Sequence, residues 1–316
     1  MKLSNLLPQA LRRHLFMNEA TYNAVANLWY NMKADKLTDL ALNSTKRGIS
    51  DQNFGHELIV SLTTYGSRLH SVHTIIESIM QGSLLPNRIV LWVAEKLKDK
   101  PLPIALQHQM TRGLEVAYCT DIRSYTKLLP ALRKFPKADI ITIDDDVIYN
   151  FDLVESLVNA HVEYPDCIVA RRCHRIVLGG KEMKPVAYNK WLMGGGYQTP
   201  TYLNFFTGVG GVYYPAGSLD PEVLNKDVFR SICPLADDVW FNAMAIKSGT
   251  RIMRAYASSP VGDDFLVSSV LQAGGLCQQN VVHGENDRQI KAVFEKYDLF
   301  GVLREEKERV DKTIEK

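Results

Sequence analysis

The chain has 316 residues, 46% of them apolar and 23% charged, enough to bury a sizeable core and too balanced for wholesale disorder. A formal net charge of +2 gives no global basic field, so nucleic acid is not an expected partner and any anionic ligand must be met by local groups. Five cysteines with no CxxC pair argue against a disulfide framework or a cysteine zinc site, and no apolar run approaches the ~20 residues of a membrane span.

The first 56 residues read differently from the rest. Leu3, Leu6, Leu7, Ala10, Leu11 and Leu15 recur at helical spacing, with Lys2, Arg12 and Arg13 between them. Arg12, Arg13 and His14 interrupt the apolar stretch, which excludes a secretory signal. Together with reduced thiols this predicts a cytoplasmic protein. A second helical stretch, 20–33, carries Trp29 and Tyr30. Two readings of residues 1–33 stand side by side: a helical extension packed on the main domain, or a basic amphipathic segment in peripheral contact with the inner face of a membrane. Residues 43–55 (NSTKRGISDQNFG) read as a linker, which sets 1–56 apart from a domain spanning 57–316.

From residue 57 strands and helices alternate. Strands are predicted at 58–63, 88–93, 114–118 and 138–143, and helices at 71–81 and 125–134. The continuous Ile/Val/Leu runs mark strands covered on both faces, so the expected fold is α/β: a Rossmann-like, mostly parallel sheet with flanking helices. A helix at 153–162 and a strand at 167–170 follow. Residues 179–218 are rich in Gly, Tyr, Trp and Asn and read as loops with short strands, a natural substrate wall. Residues 236–248 are helical, and 287–316 read as one helix ending in solvated charge.

Asp144, Asp145 and Asp146 follow the apolar run ADIITI, at the strand end where such sheets bind ligands. Three adjacent carboxylates raise one another's pKa, and a divalent cation resolves the conflict. Carboxylate oxygens suit Mn²⁺ or Mg²⁺, which take their remaining ligands from water and substrate phosphates. An extended chain would point Asp144 and Asp146 to one side and Asp145 to the other.

The stretch DIRSYTKLLPALRKFPKADIITIDDDVIY resembles the donor-binding half of bacterial sugar transferases of the GT-A fold, close to the family 2-like enzymes of polysaccharide and lipopolysaccharide synthesis. VSLTTYGSRL, TGVGGVYYP, PLADDVWFNAMA and NVVHGENDRQI resemble further segments of the same enzymes, in the same order, across roughly residues 57–290. The resemblance implies transfer of a hexosyl or N-acetylhexosaminyl group from a UDP-linked sugar to a glycan or glycolipid acceptor, with inversion. It implies donor contacts at Thr63, Thr64, Tyr65, Arg68, Asp121, Lys127, Asp144 and Asp145, metal ligation by Asp144, Asp146 and His283, and an acceptor side at Gly210, Gly211 and Trp240. Asn286 and Asp287 would close a loop over the donor. In the matching motif an acidic pair supplies the general base that takes the acceptor's proton; Asp238 is favoured and Asp237 is the close alternative.

Two rival functions remain at this level. A sugar-phosphate nucleotidyltransferase shares the sheet and the metal but carries a Gly-rich basic loop after its first strand, where this chain has TTYGSRL. A nucleotide-sugar or glycan-binding protein without activity would not need the Asp237–Asp238 pair.

Overall fold

The computed structural model describes residues 19–256, 265–267 and 284–314. It opens with a long helix α1 (Glu19–Asn43), then β1 (Leu58–Thr63), α2 (Val72–Met80), β2 (Arg88–Ala94), α3 (Ile104–Thr111), β3 (Leu114–Cys119), α4 (Leu129–Lys134), β4 (Asp139–Thr142), β5 (Val147–Tyr149) and α5 (Leu153–Glu163). Short strands β6 (Ile168–Ala170), β7 (Cys173–Arg175), β8 (Leu178–Gly179), β9 (Lys184–Pro185), β10 (Asn204–Phe206) and β11 (Val212–Tyr214) follow. The chain continues through α6 (Lys226–Ile232), α7 (Asp237–Lys247), β12 (Ile252–Arg254), β13 (Phe265–Val267), α8 (Glu285–Lys296) and α9 (Leu299–Ile314).

The central sheet has seven strands in the order β12-β6-β11-β4-β1-β2-β3. All pairings are parallel except those of β11, which runs antiparallel to both β4 and β6. The expected mostly parallel α/β sheet with flanking helices is therefore the observed architecture. Alternation along each strand divides the core into two layers. Ile59, Val90, Trp92 and Ile140 face the layer that holds α4, α6, α7, α8 and α9. Leu58, Val60, Leu62, Leu91 and Ile141 face α1, α2, α3 and α5.

Helix α1 is anchored to this domain. Tyr30 and Leu37 are buried against the second layer. Thr38 Oγ1 meets His73 Nε2 at 3.1 Å, and His108 Nδ1 meets the Ala41 carbonyl at 2.8 Å. Arg112 donates to the carbonyls of Leu40 and Lys46 while pairing through both terminal nitrogens with fully buried Glu77, at 3.0 and 2.9 Å. Residues 19–43 thus pack on the main domain, and residues 1–18 lie outside the described residues. Among the described residues no helix is long and apolar enough to cross a membrane.

Three predicted elements differ in detail. The helix expected over 125–134 is a 3₁₀ turn (Arg123–Lys127) followed by the shorter α4, with Pro130 in its first turn. The single C-terminal helix is two, broken where Asp298 adopts a left-handed backbone (φ 51°). Strand β4 ends at Thr142, so the acidic triplet lies beyond the sheet, with Asp145 and Asp146 in the tight turn before β5.

Candidate active site

That turn overturns the expected alternation of the triplet. Arg68, from the 3₁₀ turn after β1, spans two neighbours: Nη1 reaches Asp145 Oδ1 at 2.8 Å and Nη2 reaches Asp146 Oδ2 at 3.2 Å. Thr64 Oγ1 donates to the other Asp145 oxygen at 2.8 Å. Asp144 points elsewhere, to Lys127 Nζ at 2.9 Å. Its backbone N–H donates to Tyr149 Oη, which donates in turn to the Val209 carbonyl at 3.1 Å, so a buried tyrosine ties the triplet to the glycine loop.

Lys127 joins two acidic groups that lie 93 residues apart in the chain (144 to 237). The ammonium is also 3.1 Å from Asp237 Oδ2, within ion-pair range but off hydrogen-bond alignment, which leaves that buried oxygen without a hydrogen bond. Burial works against the charged lysine. The attraction of Asp144, Asp237 and Asp238 outweighs it and holds the ammonium protonated well above the usual lysine range. The lysine's own carbonyl accepts from Ser61 Oγ at 2.6 Å, and Ser61 accepts from Trp92 Nε1 at 2.9 Å, so β1 and β2 fix its backbone.

Asp237 and Asp238 open α7. The two residues before the helix, Leu235 and Ala236, donate their N–H groups to Gln289 Oε1 of α8 at 2.9 and 3.2 Å. Asp238 Oδ1 accepts from the Gly208 N–H at 3.0 Å. A Cβ at Gly208 would collide with Lys127 Nζ, so any side chain here would have to push the ammonium out of its place. Burial, reinforced by the neighbouring Asp237 charge, pushes the Asp238 carboxyl up to about 7 despite the opposing pull of Lys127. Asp146 is raised to about 6, chiefly by burial and next by Asp144, with Arg68 opposing. Burial also raises Asp145, against the pull of Arg68.

The structure thus brings Thr64, Arg68, Lys127, Asp144, Asp145, Asp146, Asp237 and Asp238 into one connected cluster. The other predicted residues lie apart from it or serve differently. Thr63 Oγ1 donates to the Trp92 carbonyl at 3.0 Å, a sheet contact. Tyr65 is exposed, with Lys96 over its ring. Asp121 is exposed at the end of β3 and accepts from the Arg123 N–H at 2.8 Å, which supports the left-handed backbone of Arg123. Gly210 and Gly211 are buried by close packing against Arg172 and Leu153. Trp240 corrects an expectation: it is fully buried between Phe229 and Tyr297 and donates to the Val223 carbonyl, so it supports α7 from within the core rather than facing an acceptor. Asp287 accepts from the Tyr188 N–H at 2.7 Å, a tie to the 179–218 region. His283 lies outside the described residues.

Sequence reasoning missed Tyr149 and Tyr30. Tyr30, on α1, is close enough to Asp145 and Asp146 for their charge to add to burial in raising its phenol. The missed signal was an aromatic within a helical segment set apart as an extension.

The donor set fits a divalent cation only in part. Among the described residues no three acidic or imidazole groups converge on one point. Asp144 and Asp146 can present one oxygen each, and such a two-carboxylate site suits a cation that takes its other ligands from water and a diphosphate. A separate cleft of about 470 Å³ lies at the opposite edge of the sheet. Arg88 there is already paired with Glu57 and Glu115, and no carboxylate of the cluster lines it.

No family model matches the chain, and no curated protein matches it. Several solved structures are similar to it. TarS 1–349 of S. aureus is 14% identical, over 77% of this chain and 73% of that one, with a TM-score of 0.44. The mannosyltransferase PcManGT from Pyrobaculum calidifontis, in complex with GDP-Man and Mn²⁺, is 13% identical over 76% and 67%, with a TM-score of 0.40. CMP:2-keto-3-deoxy-manno-octonic acid synthetase, complexed with CTP, is 11% identical over 71% and 99%, with a TM-score of 0.42. Likeness this remote does not separate the mannosyltransferase from the synthetase, and function has to be read from the site.

Proposed function

We propose that this protein is a divalent-metal-dependent glycosyltransferase that moves a sugar from a nucleotide donor, UDP-linked, to a hydroxyl of a glycan or glycolipid acceptor with inversion. One observation carries the reading: Lys127 links the strand-end acid Asp144 to Asp237 of the Asp237–Asp238 pair, whose second member has its carboxyl raised to about 7. A nucleotide-binding end and a proton-accepting end are then joined through one lysine.

The nucleotide lies over the carboxyl ends of β1, β4 and β2, where Thr64 and Arg68 order the triplet. Asp144 and Asp146 would hold Mn²⁺ or Mg²⁺, which would supply positive charge to the departing diphosphate. Asp238 accepts the acceptor's proton as that oxygen bonds to the anomeric carbon and the bond to the diphosphate breaks. An apparent pKa of about 7 suits a group that must be deprotonated before the step and protonated after it. The Gly208 N–H holds the Asp238 oxygen in place.

A thermal-shift screen of nucleotide sugars, with and without Mn²⁺, followed by a donor-hydrolysis assay on the hits, tests this. A UDP-sugar should raise the melting temperature only when Mn²⁺ or Mg²⁺ is present, and Asp146→Asn should abolish the effect. Stabilisation by nucleoside triphosphates with pyrophosphate release would move the protein to the nucleotidyltransferases. Stabilisation without any donor consumption would make it a binding protein.

A further inference from the structure

At the same edge of the sheet, on the far side of antiparallel β11, two arginines have no place in the chemistry above. Arg172 follows β6 and Arg254 ends β12. These strands run parallel, with Arg254 opposite Ala170, so both side chains leave the sheet at its carboxyl edge. Arg254 shares strand parity with Ile252, which faces the layer that contains α7, and Arg172, two residues past the end of β6, has its Cβ against the Gly210 backbone. The register makes the two arginines diagonal neighbours, Arg172 lying two residues beyond the partner of Arg254, and both charges reach the buried Cys173 thiol.

Both arginines are half-buried, and neither forms an ion pair among the described residues. Arg172 Nη1 donates to Thr207 Oγ1 at 2.8 Å, a neutral partner. Arg254 Nε is buried with no hydrogen-bond partner among the described residues. Two half-buried guanidinium groups on adjacent strands, with no carboxylate partner among the described residues, leave their forks available to an incoming anion. The pair also touches the loop that orients Asp238. Thr207, which Arg172 binds, directly precedes Gly208, whose N–H holds the Asp238 carboxylate, and Gly210 packs on Arg172 so tightly that a Cβ would overlap it.

We propose that Arg172 and Arg254 form an anion subsite for the acceptor, which carries a phosphate group close to the hydroxyl that Asp238 deprotonates. Two forked guanidinium groups match a phosphate's charge and oxygen geometry better than a single carboxylate does. The subsite belongs to the acceptor because of its place in the sheet. β6 and β12 lie two and three strands from β4, roughly 10–14 Å at ordinary strand spacing, on the side away from β1, β2 and β3. This inference rests on the sugar-transfer reading for what the subsite serves.

The test is a melting-temperature titration at constant ionic strength. Wild-type protein should respond to glycerol 1-phosphate, and not comparably to glucuronate. R172Q and R254Q should each weaken the phosphate response about tenfold, as loss of a hydrogen bond to a charged group predicts, with the response to UDP and Mn²⁺ kept within about twofold. Arginine labelling of the unmodified chain with phenylglyoxal, read by mass spectrometry, needs no substitution: glycerol 1-phosphate should protect both arginines. An undiminished phosphate response in the variants, an equal response to glucuronate, a matching loss of the UDP response, or no protection would each overturn the subsite. A wild-type protein that responds to phosphate but never to UDP would instead sink the nucleotide-sugar reading and leave the anion subsite standing.

Discussion

Replacing Asp238 with Asn should make the protein more stable and less active at once. The carboxyl of Asp238 titrates near 7 in the folded chain, raised by burial and then by Asp237. A raised carboxylate contributes stability at low pH that is lost as pH climbs through the folded value, because above it the fold must carry a charge that it disfavours. At ~1.36 kcal/mol per pH unit, the window from the ordinary carboxylate range to about 7 corresponds to roughly 4 kcal/mol. Asp238 is partly open to solvent, which screens part of this, so about 2 kcal/mol is expected. Asn keeps an oxygen for the Gly208 N–H and removes the charge. Denaturant unfolding at pH 4 and pH 8, without added metal, should show D238N gaining about 2 kcal/mol over wild type at pH 8 and nearly nothing at pH 4. Transfer should fall by about 10²–10⁴, and the limb of the pH–rate profile near 7 should vanish. A variant no more stable at pH 8 than wild type, or a difference independent of pH, would refute the electrostatic reasoning.

Lys127→Met should cost about 3–5 kcal/mol, since it strands Asp144 and Asp237 beside each other in a buried setting; a shift in unfolding free energy below ~1 kcal/mol would show that water already screens them. Glu77→Gln breaks a pair whose partners are both almost fully buried and should cost a similar ~3–5 kcal/mol. Because Arg112 also tethers the end of α1, amide exchange in residues 37–46 should accelerate in that variant, and unchanged protection there would show that Tyr30 and Leu37 alone hold the helix.

The sheet was legible because its strands are continuous apolar runs, and the triplet stood out because carboxylates after a buried strand demand a reason, whereas Asp237 and Asp238 were singled out by resemblance to a sugar-transferase motif. Other features were hidden for definable causes. A lone Lys after a polar turn reads as solvated, and nothing local says that Lys127 bridges positions 144 and 237. The alternation assigned to the triplet assumed an extended chain, but β4 stops at Thr142 and the turn gives Asp145 and Asp146 one shared arginine. Helix α3 went unread because its apolar residues make no stripe: Ile104 and Met110 are exposed while Gln109 is fully buried. Trp240 sits within a motif-bearing helix, and sequence alone does not tell which side of that helix faces the cleft.

The cluster's electrostatics also bear on why the site has two ends. Five carboxylates, Asp144, Asp145, Asp146, Asp237 and Asp238, meet here, and the cations acting most strongly on them are Arg68 and Lys127. Each cation is spent on a different division of the acids. Arg68 holds Asp145 and Asp146; Lys127 holds Asp144 and Asp237. The carboxyls raised to about 6 and about 7 are Asp146, on which Arg68 acts, and Asp238, on which Lys127 acts. Lys127 itself spans the two ends, pairing with Asp144 on one side and Asp237 on the other. Under the proposed function, one end would gather positive charge for a leaving diphosphate while the other would take a proton. An acidic patch that served only to solvate the surface would need neither the buried lysine nor the glycine that makes room for it.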